Sequence, residues 1–145
     1  MATESIDTVE IRRASPADIP GIKVFIESFI EGGEVLPRTL EEIEDLMPTF
    51  FVAVMDGEIV GCATLEIYSR KLAEIRSLCV SPKVQGKGIG KRLVQTCVRL
   101  ARQRDIYEIM VITHSEDFFK NLGFDYTLPN LKKALFLNTH DDLMG

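Results

Sequence analysis

The sequence predicts an α/β (α+β) fold, a mixed central β-sheet flanked by helices. Three observations carry this. Strand-like and helix-like stretches follow one another in the order β-α-α-β-β-β-α-β-α-β. An Asp56-Gly57 pair between two apolar runs marks a tight hairpin. A glycine-rich stretch, Val80-Ser81-Pro82-Lys83-Val84-Gln85-Gly86-Lys87-Gly88-Ile89-Gly90, sits where a strand hands over to a helix. At 145 residues the expectation is one domain, 1–145, with 1–8 and 139–145 as frayed ends.

Val9 to Ala14 reads as the first strand. Ser15-Pro16-Ala17-Asp18 then starts a helix, with a capping serine, proline at the first helical position and an acid in the first turn. Ile19, Ile22, Val24, Phe25, Ile26, Phe29 and Ile30 give that helix a broad apolar face, and Gly32-Gly33 ends it. Thr39-Leu40-Glu41-Glu42 caps a second, short helix, closed by Pro48. Phe50 to Met55 and Glu58 to Tyr68 form the hairpin. Leu72 to Val80 is a third consecutive strand. The helix from Gly88 to Arg104 buries Ile89, Leu93, Val94, Cys97, Val98, Leu100 and Ala101. Glu108 to Thr113 is an apolar strand expected to be buried on both faces. Glu116 to Asn121 is a short helix, and Leu131 to Asn138 the last strand.

Composition narrows the function. The N-terminal residues are polar and acidic, so no signal peptide is expected. No apolar run approaches the roughly 20 residues that span a bilayer. Cys62, Cys79 and Cys97 are odd in number, lack C-x-x-C spacing and lie in apolar contexts. They read as buried free thiols of a cytoplasmic protein, with no metal site. The net charge of −5 argues against nucleic acid as a partner. Lys83, Lys87, Lys91, Arg92, Arg99, Arg102 and Arg104 fall in one acid-free stretch, so this stretch is +7 and the rest of the chain −12. An acidic protein with its positive charge gathered at one glycine loop suits a small polyanion. Arg99, Arg102 and Arg104 read as a solvated helix face, whereas Lys83, Lys87 and Lys91 sit at the loop.

The loop is built for an anion. The first turn of a helix has N–H groups without intrahelical partners and a partial positive charge. Glycines let a phosphate approach those amides closely. Neither the Walker spacing nor G-x-G-x-x-G is present. The spacing is Gln85-x-x-Gly88-x-Gly90, preceded by Leu78-Cys79-Val80-Ser81-Pro82.

That pattern resembles the coenzyme A loop of the GCN5-related N-acetyltransferase (GNAT) superfamily, and the element order is similar over about 130 residues. Asp117-Phe118-Phe119-Lys120-Asn121-Leu122-Gly123-Phe124 looks like the family's F-[YF]-x-x-x-G-F element. The resemblance implies a sheet of six to seven strands, acetyl-CoA as donor, no metal and a homodimer. It also implies that two strands splay apart to receive the pantetheine arm. Leu78, Cys79, Val80, Gln85, Gly86, Lys87, Gly88, Ile89, Gly90 and Lys91, with Phe119, are the implied coenzyme A contacts.

Acetyl transfer to an amine needs a base for the amine proton and a donor for the oxyanion. The backbone N–H of Val80 is the natural oxyanion donor. Glu74 and Arg76 alternate onto one face of a central strand, where charge is costly unless paired or facing a cleft. Glu74 is the candidate base, because a carboxylate withdrawn from water binds a proton more readily. The competing reading is a Glu74–Arg76 ion pair bracing the sheet. A bulge in this strand would change which residues share a face. Phe119 stands where the family has a tyrosine as proton donor. Thr113, Ser115, Tyr107, Tyr126 or water remain to replace it, and His114 reads as a polar loop residue.

Val35-Leu36-Pro37-Arg38-Thr39-Leu40-Glu41-Glu42 resembles the L-x-x-R-[ST]-x-E-E segment of amino-acid N-acetyltransferases, the N-acetylglutamate synthases. Ala73-Glu74-Ile75-Arg76-Ser77-Leu78 and Leu128-Pro129 are similar to the same subgroup. The implied reaction acetylates the α-amine of L-glutamate. Arg38, Arg76, Lys132 and Lys133 are the candidates to hold its carboxylates, and a bidentate arginine suits that task. Two readings compete. Glu31, Glu34, Glu41, Glu42, Glu44 and Asp45 would favour a polyamine, antibiotic or peptide amine. A coenzyme A sensor would keep the loop without the base, and Glu74 discriminates it.

Overall fold

The computed structural model describes residues 8–33, 35–126, 134–137 and 139. They group into two compact units that divide after Ile112. The first contains β1 (Glu10–Arg13), α1 (Ile19–Ile30), α2 (Leu40–Asp45), β2 (Phe50–Met55), β3 (Glu58–Ile67), β4 (Leu72–Val80), α3 (Ile89–Gln103) and β5 (Glu108–Met110). The second contains α4 (Glu116–Lys120). This is the expected order as far as the described residues run.

The five strands lie side by side in chain order. Pairing is antiparallel from β1 to β4 and parallel between β4 and β5, so the sheet is mixed as expected. The Asp56-Gly57 turn has both residues at positive φ, 51° and 76°, which matches the right-handed twist of the strands it joins. Ile22, Ile26 and Phe29 of α1 and Ile43 of α2 pack on Phe50, Val52, Cys62 and Cys79. The opposite face is covered by α3: a side-chain carbon at Gly61 would stand 3.1 Å from Leu93 and 3.3 Å from Ala53. Only glycine lets the helix sit that close.

Helix starts follow the sequence signals. The Asp18 carboxylate accepts the Ser15 N–H at 2.7 Å and two guanidinium donors of Arg12 at 2.7 and 2.9 Å. The Arg12 hydrogen bond holds the Asp18 carboxyl down at about 2. A depressed acid stabilises the fold above its unfolded pKa, and this contribution fades as pH falls toward the folded value. With Arg12 a third exposed, the pair is worth about 1 kcal/mol. Asp18→Asn should lower unfolding stability by about that amount at neutral pH and by nothing measurable near pH 2. Denaturant titrations at the two pH values check this.

β5 departs from expectation. It ends at Met110, pairs with β4 over three residues only, and has Glu108 exposed with Ile109 and Met110 half-buried. Ile112, expected inside, is 64% exposed. β5 is the last strand of the described sheet, so only one neighbour covers it. Residues 134–137 form no strand and are exposed, while the rest of the expected last strand lies outside the described residues. Cys62, Cys79 and Cys97 are buried free thiols, as expected. Contact with Cys79, then burial, pushes the Cys62 thiol well up, and burial pushes Cys97 up to about 12.

Candidate active site

β4 organises the site through one extra residue. Cys62 stands opposite Cys79 and Thr64 opposite Arg76, so Ala63 alone faces two residues, Ser77 and Leu78. Ser77 takes φ +55°, the left-handed conformation of a bulge. A one-residue slip exchanges the two faces of a strand. Before the bulge, Glu74 and Arg76 share a face with Glu66 and Thr64 of β3. After it, Cys79 takes that face beside Cys62 in the core, and Leu78 and Val80 turn to the other.

The face before the bulge gathers three of the charged candidates, Glu74, Arg76 and Arg38. Arg38, in the loop just before α2 and 7% exposed, donates from Nε to Ser77 Oγ at 3.2 Å. One of its terminal nitrogens lies 3.5 Å from Glu66 Oε1 and the other 3.6 Å from Glu42. Arg76 also reaches Glu66 Oε1, at 3.5 Å. Glu74 is 7% exposed and accepts the Tyr68 hydroxyl at 2.6 Å. The Glu74–Arg76 brace is thus not the arrangement found: each residue has a different partner. Glu66 and Glu74 stand directly opposite, an unfavourable pairing that the two guanidinium groups and the phenol offset. Burial, then the bond to Glu74, pushes the Tyr68 phenol up to about 12. The Thr39 N–H holds Glu42 below the usual carboxylate range, so Glu42 serves the helix cap as well as Arg38.

Beyond Glu74 the ladder to β5 stops, and residues 75–80 of β4 have no described strand on that side. Ser81 N–H bonds Val60 O at 2.8 Å, toward β3. By alternation the Val80 N–H points to the open edge. The Val80 carbonyl shares that edge and is taken by Gln85 Nε2 at 2.9 Å. Gln85, expected at the cofactor, is therefore first a clamp that ties the loop to the strand end.

The loop then turns through Gly86 at φ +77° and Gly88 at φ +86° into α3. A carbon added at either glycine would meet no protein atom within 4 Å. α3 opens at Gly88 without a side-chain cap, so the amides of Ile89, Gly90 and Lys91 have only what enters from outside. Lys87 and Lys91 flank this start and are exposed. Lys83 is exposed as well, and its ammonium meets the exposed Glu58 at 2.8 Å. A coenzyme A pyrophosphate fits this donor set, backbone amides at a helix start with two basic side chains beside them.

Thr113, Ser115 and Phe119 belong to the second unit. Thr113 Oγ1 accepts the Ser115 N–H at 2.8 Å. Phe119 is buried against Phe118 and Phe124, ring centres 5.0 and 5.4 Å away. Tyr126 bonds Glu116, and Tyr107 is 81% exposed. Lys132 and Lys133 lie outside the described residues. Glu66 and Tyr68 were missed from sequence. Alternation along β3, with Thr64, Glu66 and Tyr68 on one face, was the available signal. Among the described residues no cluster of His, Cys, Asp and Glu is placed to hold a metal ion. No described helix is long and apolar enough to cross a membrane.

Residues 22–124 match the acetyltransferase (GNAT) family. An uncharacterized N-acetyltransferase of Chlorobaculum tepidum is 36% identical over 79% of this chain and 74% of its own length. An amino-acid acetyltransferase of Mycobacterium tuberculosis is 32% identical over 79% of this chain and 67% of its own. Among solved structures, a Mycobacterium tuberculosis protein in complex with CoA and NLQ superposes with a TM-score of 0.76 at 30% identity, covering 86% of this chain and 76% of that one. N-acetylglutamate synthase from Neisseria gonorrhoeae, complexed with coenzyme A and N-acetyl-glutamate, gives 0.73 at 32% identity. There the match covers 83% of this chain but 28% of the synthase, so this chain spans about a quarter of that protein. Since the matched residues run from α1 through α4 and include both the bulged strand and the glycine loop, the chain belongs to the GNAT acetyltransferase family and is an N-acetyltransferase.

Proposed function

We propose that this enzyme transfers an acetyl group from acetyl-CoA to the α-amine of a small amino acid, with L-glutamate the first acceptor to test. The supporting observation is a buried carboxylate, Glu74, directly opposite Glu66, whose own carboxylate lies 3.5 Å from the buried, loosely held guanidinium of Arg38. An α-amino acid carries the complementary pair, an amine and a carboxylate a few ångströms apart.

The residue roles follow from position. Amides at the α3 start hold the pyrophosphate, with Lys87 and Lys91 adding charge. Acetyl-CoA bound there supplies an activated thioester. The Val80 N–H, unpaired with β3 and on the open edge, serves in this reading as the oxyanion donor. Arg38 has one hydrogen bond of ordinary length, to Ser77, and contacts of 3.5 and 3.6 Å to carboxylates. A better-aligned substrate carboxylate competes well for such a group. Arg76 then keeps Glu66 neutralised. Glu74 takes the amine proton as nitrogen attacks. The implied role of Lys132 and Lys133 toward a second carboxylate belongs to the same proposal.

A thiol-release assay with acetyl-CoA against the common amino acids and polyamines tests this. Release stimulated by glutamate supports the reading in full, and stimulation by other amino acids only restricts it to the α-amine. Release with polyamines alone sinks it, and none with any amine favours a coenzyme A sensor.

A further inference from the structure

We propose that Tyr68 is a positioning residue for acetyl transfer: its hydroxyl fixes Oε1 of Glu74, leaving Oε2 as the atom that takes the amine proton. This rests on the reading of Glu74 as the base. Tyr68 follows the end of β3, where its backbone N–H bonds Leu72 O at 3.0 Å across the turn into β4. Alternation puts its side chain on the Glu66 face, and the phenol reaches Glu74 Oε1 at 2.6 Å. That length is typical of a hydroxyl donating to an ionised carboxylate. No other hydrogen bond to Glu74's side chain occurs among the described residues, so its two oxygens are not equivalent.

The phenol is suited to holding rather than exchanging a proton. With its pKa pushed up to about 12 it stays protonated wherever the enzyme works, and it donates to Oε1 throughout. As the carbon–nitrogen bond forms, the nitrogen's proton passes to Oε2 while Tyr68 keeps its own; the carbon–sulfur bond then breaks and coenzyme A leaves as the thiolate. The charges linked through Glu66, which stands opposite Glu74, are Arg76 on β4 and Arg38 before α2, with Glu42 on α2 beside Arg38. The β5 residue opposite is Met110, which does not titrate. On α1, Lys23 and Glu27 pair with each other at 3.0 Å. The phenol is thus the group whose removal changes Glu74 without changing the charge count.

Tyr68→Phe is the test, read by kcat, KM for acetyl-CoA and thermal unfolding. Tyr68 is 49% exposed at a strand end, so the fold should be unaffected. The hydroxyl fixes Oε1, so its loss leaves Oε2 unpositioned. kcat should fall about tenfold, the effect of one hydrogen bond to a charged group. KM for acetyl-CoA should not change. In a Glu74→Gln background Tyr68→Phe should add nothing. A wild-type kcat, or an equal loss of kcat in the Glu74→Gln background, overturns the proposal. Full turnover by Glu74→Gln alone overturns the reading of Glu74 as base instead, so the two failures are distinguishable.

Discussion

Glu74→Gln should lower turnover at saturating acetyl-CoA by about 10²- to 10⁴-fold, the usual range for loss of a general base. Affinity for coenzyme A should stay within a factor of about two, because the loop and the α3 start are untouched. The structure makes this substitution a clean one. Had Glu74 braced Arg76, glutamine would strand a guanidinium, and lost activity would be hard to separate from lost stability. Instead Arg76 turns to Glu66, and the hydroxyl of Tyr68 can donate to a glutamine carbonyl as it does to the carboxylate. Stability should therefore change by less than about 1 kcal/mol. Steady-state kinetics, coenzyme A calorimetry and denaturant unfolding read the three quantities. Unchanged turnover would show that Glu74 does not take the proton.

Gly88→Val acts on the donor side. At φ +86° a β-branched residue is strained, at a cost of about 1–2 kcal/mol. A carbon there meets no protein atom within 4 Å, so the fold itself raises no further objection. The added methyls stand at the mouth of the uncapped amides. Coenzyme A affinity should fall about 10²-fold, the loss of two charge-assisted hydrogen bonds at the low end of their range. Gly33→Val is the control, since Gly33 has φ +71° and equally open space but sits after α1. It should lower thermal stability similarly and leave coenzyme A affinity alone. Equal affinity of the Gly88 variant and the native protein would refute the loop as the coenzyme A site.

What the sequence revealed and what it hid divide along physical lines. The glycine loop was legible because its geometry is local: Gly86 and Gly88 take positive φ within a few residues of one another, and the helix start follows at once. Glu74 and Arg76 were legible as neighbours because a strand alternates. Their partners were not, because these come from cross-strand register and from the loop before α2. Neither the contact of Arg38 with Ser77 across 39 positions nor the Tyr68–Glu74 bond has a local signature. Lys83 looked like its neighbours Lys87 and Lys91 in sequence, and only the hairpin end brings Glu58 to it. β5 was overread because an apolar run gives no warning of how few residues a neighbouring strand will cover.

The bulge at Ser77 has an evolutionary consequence. It divides β4 into a stretch whose Glu74 and Arg76 share the Glu66 face and a stretch whose Leu78 and Val80 turn to the other face. On the proposed reading, substitutions at Glu66, Tyr68 or Arg76 remodel the choice of amine while Leu78, Val80 and the glycine loop keep their geometry. A lineage built on this strand can therefore change what it acetylates without relearning how to hold coenzyme A.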